Sequence, residues 1–100
     1  MRYNRYMIVV RKLVWDQTNT QHIARHGVTP AEVEEVCAAD IFILHGHSGR
    51  IMIVGPTKKD RALSIVLDPE PEDGVWYPVT ARPADRKERR VYKEEKGVKL

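Results

Sequence analysis

Four short apolar segments follow one another between residues 41 and 80, and only turn-forming sequence separates them. They are Ile41–His45, Arg50–Gly55, Arg61–Leu67 and Val75–Thr80. The connections are too short to hold a crossover helix, so successive strands should pair in the antiparallel direction. Pro78 has no amide hydrogen to donate, which predicts a sheet edge or a bulge at that position. The sequence therefore predicts an antiparallel meander. An opening strand over Tyr6–Trp15 would add a further strand to the sheet.

Two helices are predicted ahead of these strands. Asp16, Thr18 and Asn19 are each able to cap the start of a first helix, which Gly27 would end. A second start signal follows at Thr29, where the threonine, Pro30 at the first helical position and Glu32 form a capping box. This second helix should run from Pro30 to about Ala39.

A third helix is predicted after the last strand. Pro83 fits the first turn of a helix that continues through about Glu95. The apolar content of this segment is low, so the helix must lean on the sheet to be stable. The fold class is therefore α+β, with the two early helices packed on one side of a sheet of four or five strands and the last helix beside it.

The chain has 100 residues, which predicts a single domain over residues 1–100 with no room for a separate cofactor-binding module. No apolar run approaches the length of a membrane span, and the early apolar stretch is too short for a signal peptide. A single cysteine, Cys37, excludes a disulfide within the chain, as is typical of a reducing compartment. We therefore expect a cytoplasmic protein that does not contact a membrane.

The net charge of +3 is unevenly distributed, because the segment Arg82–Lys99 is mainly basic. Clustered positive charge can attract a polyanion or an acidic protein. The same segment also alternates basic and acidic residues at spacings that allow ion pairs along a solvated helix. Charge pattern alone favours the solvated helix.

Several motifs in two separated blocks resemble the BrnT family of bacterial toxins. The resemblance covers roughly Leu13 to Lys96 and rests on Trp15-Asp16, His22–Val28, Glu32–Val36, Tyr77–Arg82, Glu88–Arg90 and Tyr92. It implies a RelE-like fold and a metal-independent endoribonuclease that uses no cofactor. It also implies the toxin half of a type II toxin–antitoxin pair, whose antitoxin is a small DNA-binding protein, usually of the ribbon-helix-helix type. Such a toxin is expected to form a hetero-oligomer with its antitoxin or a homodimer.

Cleavage of RNA by its own 2′-hydroxyl needs a base, an acid and cations that stabilise charge on the phosphoryl oxygens. His26 is the first candidate for acid or base, because imidazole titrates near neutral pH. Glu88 is the second, and Tyr92 lies one helical turn from it. Arg82 is the candidate for phosphoryl charge, since a guanidinium can bind phosphate through two hydrogen bonds.

Further basic side chains are predicted to bind the RNA chain, namely His22, Arg25, Arg61, Arg86, Arg89 and Arg90. Each catalytic candidate also has a structural explanation. His26 could cap the end of its helix, Glu88 could form a surface ion pair, and Tyr92 could anchor the last helix.

A metal site is not predicted. His22 and His26 are four residues apart, and His45 and His47 are two apart, which are spacings that metal ligands use. The metalloprotease helix motif requires a glutamate where Ile23 stands, and Cys37 has no second cysteine beside it.

Two functions from different classes remain open at this stage. The first is a toxin endoribonuclease, and the second is a non-catalytic module of the same fold that binds RNA or a protein through its basic face.

Overall fold

The computed structural model describes residues 8–39 and 41–96, which form a five-stranded sheet and three helices. The elements are β1 (Lys12–Leu13), α1 (Gln17–Ala24), α2 (Pro30–Ala38), β2 (Phe42–His47), β3 (Arg50–Pro56), β4 (Ala62–Pro69), β5 (Val75–Pro83) and α3 (Arg86–Lys96). The strand order in the sheet is β1-β5-β4-β3-β2. The predicted α+β class is confirmed.

The four later strands form the predicted antiparallel meander. Ser48 and Gly49, with φ of 54° and 85°, make the two-residue turn between β2 and β3, where positive φ favours the twist of a hairpin. Near Pro78 the register of β5 shifts against β4, so that Val79 is an extra residue between two paired positions. The bulge that Pro78 predicted is present.

The opening strand differs from its prediction. Among residues 8–15 only Lys12 and Leu13 form a strand, and residues 6 and 7 lie outside the described part of the chain. β1 pairs with the beginning of β5 in the parallel direction, which the sequence did not predict. Two helices join β1 to the meander, so connection length does not fix its direction.

The first helix begins and ends at local signals. Asp16 is its N-cap and exchanges hydrogen bonds with Asn19 in a capping box, which selects Asp16 among the three predicted caps. Gly27 has a φ of +74°, and the Val28 amide donates to the Ile23 carbonyl at 3.1 Å. This is the Schellman pattern that glycine favours at a helix end, so the predicted stop at Gly27 is confirmed.

The second helix begins as predicted at Pro30, with Thr29 and Glu32 in a reciprocal capping box. It ends at Ala38, one residue before the predicted position.

The third helix begins later than predicted. Pro83 is the last residue of β5, paired with Leu63, and the next amide, that of Ala84, donates to the Ala62 carbonyl. The helix starts at Arg86 behind a reciprocal pair of hydrogen bonds between Asp85 and Glu88. The prediction that Pro83 lies in the first helical turn was therefore wrong, because pairing with β4 extends the strand through it.

Alternation along the strands divides the apolar side chains between the two sheet faces. One face carries the helix-pair core, formed with α1 and α2 by Leu13, Ile23, Val28, Val33, Val36, Ile53, Leu63, Ile65, Leu67 and Ala81. The opposite face carries the α3 core, formed by Phe42, Val54, Ala62, Ala84 and Tyr92. The early helices thus share one side as predicted, and α3 packs across the other side.

Cys37 is half-buried against the helix-pair core, and burial raises the pKa of its thiol to about 12. Within residues 8–39 and 41–96, none of the helices is long and apolar enough to cross a membrane.

Candidate functional site

A bidentate ion pair joins the end of β5 to the first turn of α3. The two terminal nitrogens of Arg82 donate to the two carboxylate oxygens of Glu88, at 2.9 and 2.8 Å. The Glu88 side chain is only 11% exposed, whereas the Arg82 side chain is 37% exposed. Arg82 is thus held in a fixed direction by a buried partner, while part of its side chain is exposed.

Two further donors complete the surroundings of Glu88. The Ser64 hydroxyl donates to its carboxylate at 2.8 Å, and the Asp85 amide donates at 2.9 Å. The hydrogen bond from Arg82 is the largest of the effects that lower the Glu88 pKa to about 2. The same pair raises the pKa of Arg82. Glu88 is therefore ionised at neutral pH, and these contacts favour a positioning role over proton transfer.

Tyr92 follows Glu88 by one turn of α3 and is 3% exposed within the α3 core. The spacing places both side chains on the same face of the helix, which is the buried one. Its surroundings there favour the role of an anchor that holds α3 on the sheet.

The arginines of α3 differ in their surroundings. Arg89 donates to the Ala84 carbonyl at 2.7 Å, so it also supports the start of the helix. Arg86 and Arg90 are exposed, and neither side chain has a hydrogen bond or ion pair to another described residue. These two side chains are the ones available to a phosphate or an acidic partner.

A second basic group lies at the end of α1. The rings of His22 and His26 meet edge to face, with centroids 5.5 Å apart. His26 and the neighbouring Arg25 are exposed. The His26 imidazole makes no hydrogen bond to a helix carbonyl within the described ranges, which leaves it available for another role.

Arg61 lies beside this group but is already engaged. Its guanidinium binds both carboxylate oxygens of Glu32, at 3.0 and 2.8 Å, and donates to the Gly27 carbonyl at 3.0 Å. Burial raises the Glu32 pKa, but hydrogen bonds from the Thr29 backbone and from Arg61 outweigh it and lower the pKa. These contacts favour a structural role for Arg61, joining the end of the β3–β4 connection to the start of α2.

A cavity of about 440 Å³ opens between α1 and β5. Two of the residues lining it, His22 and Arg25, were predicted to bind RNA. The others were not predicted as site residues: Thr18, Asn19, Gln21, Tyr77, Val79 and Thr80. A sequence signal existed for four of the eight lining residues, because Thr18, Gln21, His22 and Arg25 have the spacing of one helix face.

A solved structure, that of the ribonuclease toxin BrnT from Brucella abortus, is similar to this chain. The two share 23% sequence identity with a TM-score of 0.57, and the match covers 75% of this chain and 97% of the BrnT chain. This chain has the BrnT fold. No protein-family model and no curated protein sequence matches it.

Within this BrnT fold the predicted site residues form two groups on elements that pack against opposite faces of the sheet. The imidazoles of His22 and His26 belong to the α1 side, and the Arg82–Glu88 pair belongs to the α3 side. In the described part of the chain no hydrogen bond or ion pair joins His26 to Arg82. Nor do residues 8–39 and 41–96 contain a group of three or more His, Cys, Asp or Glu side chains that could hold a metal ion.

Proposed function

We propose that this chain is the toxin of a bacterial toxin–antitoxin pair and an endoribonuclease that works without a metal ion. The observation that carries the proposal is the match to nearly the whole length of a ribonuclease toxin. The sequence motifs that resemble the same family support it independently, because they rest on residue identities and not on the fold.

The proposed reaction uses the substrate's own 2′-hydroxyl. A base takes the hydroxyl proton, the oxygen attacks the adjacent phosphorus, and the 5′-oxygen leaves with a proton from an acid. The products are a 2′,3′-cyclic phosphate and a 5′-hydroxyl. Such a reaction needs fixed positive charge at the phosphoryl oxygens more than any other aid.

Arg82 is the proposed source of that charge. The buried Glu88 carboxylate fixes its guanidinium, so that little rearrangement would be needed when the phosphate arrives. Glu88 is then a positioning residue, and Tyr92 holds α3 in place. His26 is the proposed acid or base because of its residue type. Its side chain is exposed on the α1 side, so the RNA would have to pass around the edge of the sheet to meet both His26 and Arg82.

The partner proposed for this toxin is a small DNA-binding antitoxin. The exposed guanidiniums of Arg86 and Arg90 on α3 would attract an acidic segment of such a protein. Capture at this helix would also block RNA from reaching Arg82.

One observation favours a non-catalytic binding module instead. The Glu88 carboxylate accepts four hydrogen bonds, and both terminal nitrogens of Arg82 are engaged with it. An arginine with a permanent internal partner has less capacity to meet a phosphate. A module of this kind would bind RNA or protein through its exposed basic residues and cleave neither.

A cleavage assay separates the two functions. Purified protein is incubated with bare RNA in the presence of a chelator, with and without ribosomes. The toxin proposal expects cleavage that survives the chelator, together with growth arrest when the protein is expressed without an antitoxin. Stable RNA binding without cleavage under both conditions would support the binding module.

The role of Arg82 is tested with two variants, because Arg82→Ala would leave the Glu88 carboxylate buried without its partner. Arg82→Lys keeps the charge and loses the bidentate geometry. The pair Arg82→Gln with Glu88→Gln removes both charges and keeps an amide–amide contact. We expect both variants to remain folded, which cooperative unfolding would show. The double variant should cleave RNA about a hundredfold more slowly than the parent protein. Turnover equal to that of the parent protein would refute the assignment.

A further inference from the structure

The cavity beside α1 is bounded on its other side by the outer edge of β5. β1 pairs with β5 only at Val75 and Trp76, and within residues 8–39 and 41–96 no other strand pairs with β5 on this side. α1 covers the gap and is attached through Asn19, whose amide donates to the carbonyls of Val14 and Pro78. The cavity is therefore a fixed feature between a helix and a sheet edge.

Two of the lining side chains already form hydrogen bonds within the protein. Asn19 is buried, and its amide makes the two hydrogen bonds that attach α1. The Tyr77 hydroxyl contacts both carboxylate oxygens of Asp16, at 3.1 and 3.0 Å, which orients the ring. Burial, followed by these contacts with Asp16, raises the Tyr77 pKa, so its hydroxyl remains a donor.

The remaining polar lining groups have no hydrogen-bonding partner within the described part of the chain. The side chains of Thr18, Gln21, His22, Arg25 and Thr80 make no hydrogen bond or ion pair to any residue in the described ranges. They supply two hydroxyls, an amide, an imidazole and a guanidinium around one cavity. A few convergent polar groups without internal partners are the pattern of a ligand site.

The composition of this lining limits the ligand. None of the lining residues is a carboxylate, and one is an arginine, so the site favours an anion. Val79 and the Tyr77 ring add apolar surface, against which a flat ring can pack. A volume of about 440 Å³ lies within the range of small-molecule sites. A flat, hydrogen-bonding ring linked to a phosphate satisfies all three conditions.

We propose that this cavity binds one nucleotide of a single-stranded RNA. Arg25 and His22 contact its phosphate, Tyr77 and Val79 pack against its base, and Gln21 and Thr18 bind the polar edge of the base. The proposal rests on RNA being the substrate of this chain and assigns a position for one of its nucleotides. An acidic protein segment is less suited to the cavity, because carboxylate side chains would leave the apolar surface of Val79 and Tyr77 unfilled.

The test uses a hexanucleotide whose riboses carry 2′-fluoro groups, so that it cannot be cleaved through a 2′-hydroxyl. Binding is measured by fluorescence anisotropy at several salt concentrations for the parent protein, Arg25→Gln and Gln21→Ala. Lys59→Gln is the matched control, since it also removes one exposed positive charge but lies in the β3–β4 connection. Thermal unfolding of each variant checks the fold.

Arg25→Gln should weaken binding about tenfold and reduce the salt slope by about one phosphate contact. Gln21→Ala should weaken binding with no change in the salt slope, because its contact carries no charge. Lys59→Gln should resemble the parent protein. If Arg25→Gln and Lys59→Gln bind equally well, the cavity is not the site.

Amide chemical shifts locate the ligand directly. Adding the hexanucleotide should move the resonances of Thr18, Gln21, Arg25 and Thr80, and hexaglutamate should not. Shifts at these residues with hexaglutamate alone would overturn the proposal in favour of an acidic protein segment.

Parallel incubation with ordinary RNA separates this result from the proposed activity. Binding in the cavity without any cleavage would support the site and refute the ribonuclease, and cleavage without shifts in the cavity would refute the site alone.

Discussion

A carboxylate that accepts four hydrogen bonds inside a protein keeps its charge in acid. At Glu88 the donors are Arg82, Ser64 and the Asp85 amide, and the carboxyl pKa falls from near 4.5 to about 2. A pKa that is lower in the folded state adds stability above the unfolded value and loses it as the pH falls towards the folded value. Glu88 therefore stabilises the protein fully above about pH 4.5, and this contribution is lost on acidification towards about pH 2.

Glu88→Gln should lower the free energy of unfolding at pH 7 by about 2–4 kcal/mol, because Arg82 loses its buried counter-charge. The variant should also lose less stability than the parent between about pH 4.5 and pH 2, by about 1–3 kcal/mol. Urea denaturation across this pH range measures both effects.

Glu94→Gln is the control, since Glu94 is an exposed carboxyl on the same helix. Its neutralisation should change stability by less than about 0.5 kcal/mol at pH 7. If Glu88→Gln loses as much stability on acidification as the parent protein, Glu88 is not the source of this pH dependence.

At the scale of single elements, local sequence signals predicted helix ends correctly where no contact with a distant residue competed with them. The capping box at Thr29 and the stop at Gly27 were correct because backbone hydrogen bonds within a few residues satisfy them. At the start of α3 two signals compete, Pro83 and the Asp85–Glu88 box. Pairing of Pro83 with Leu63 decides between them, and this contact with β4 cannot be read locally.

The predicted site shows the same limit. The residue types at Arg82 and Glu88 were recognisable from sequence, but their mutual ion pair depends on how β5 meets α3. The cavity depends on how α1 lies against a sheet edge. Its residues on β5, Tyr77, Val79 and Thr80, belong to a motif that resembles the toxin family, but nothing in the sequence placed them beside α1.

The exposed arginines of α3 lead to a prediction about capture of the antitoxin. Arg86→Glu with Arg90→Glu should slow association with a cognate antitoxin by about tenfold or more at low salt, with a smaller effect on dissociation. Arg89 is left intact because it supports the helix start. Stopped-flow measurements at several salt concentrations give both rates.

Lys59→Glu, a charge reversal at an exposed residue in the β3–β4 connection, is the control and should leave the association rate nearly unchanged. Association of the double variant at the parent rate, at every salt concentration, would exclude α3 as the docking surface.

At the scale of the whole molecule, the parallel pairing of β1 with β5 covers the beginning of β5 at one edge of the sheet. The register matches Lys12 with Val75 and Leu13 with Trp76, and the Val14 amide donates to the Trp76 carbonyl at 2.9 Å. Leu13 is buried in the helix-pair core. This short strand therefore anchors the segment that leads into α1.

Leu13→Ala should destabilise the protein by about 2–4 kcal/mol, because it removes a buried side chain and leaves a cavity. Hydrogen exchange of the Val14 amide should accelerate more than that of amides in β3 and β4. Val9→Ala, at an exposed apolar position in the same segment, is the control and should be nearly neutral. Equal acceleration at all three strands would mean that β1 does not open separately.

The parallel pair also sets an order of events during synthesis. The ribosome makes β1 early, but its partner β5 emerges only after the three strands of the hairpins that precede it. Until then Leu13 has no sheet edge to cover, and α1 has no Pro78 carbonyl to bind. The site beside α1 therefore cannot assemble on a nascent chain that stops short of β5, so an incomplete translation product should lack whatever activity that site supports.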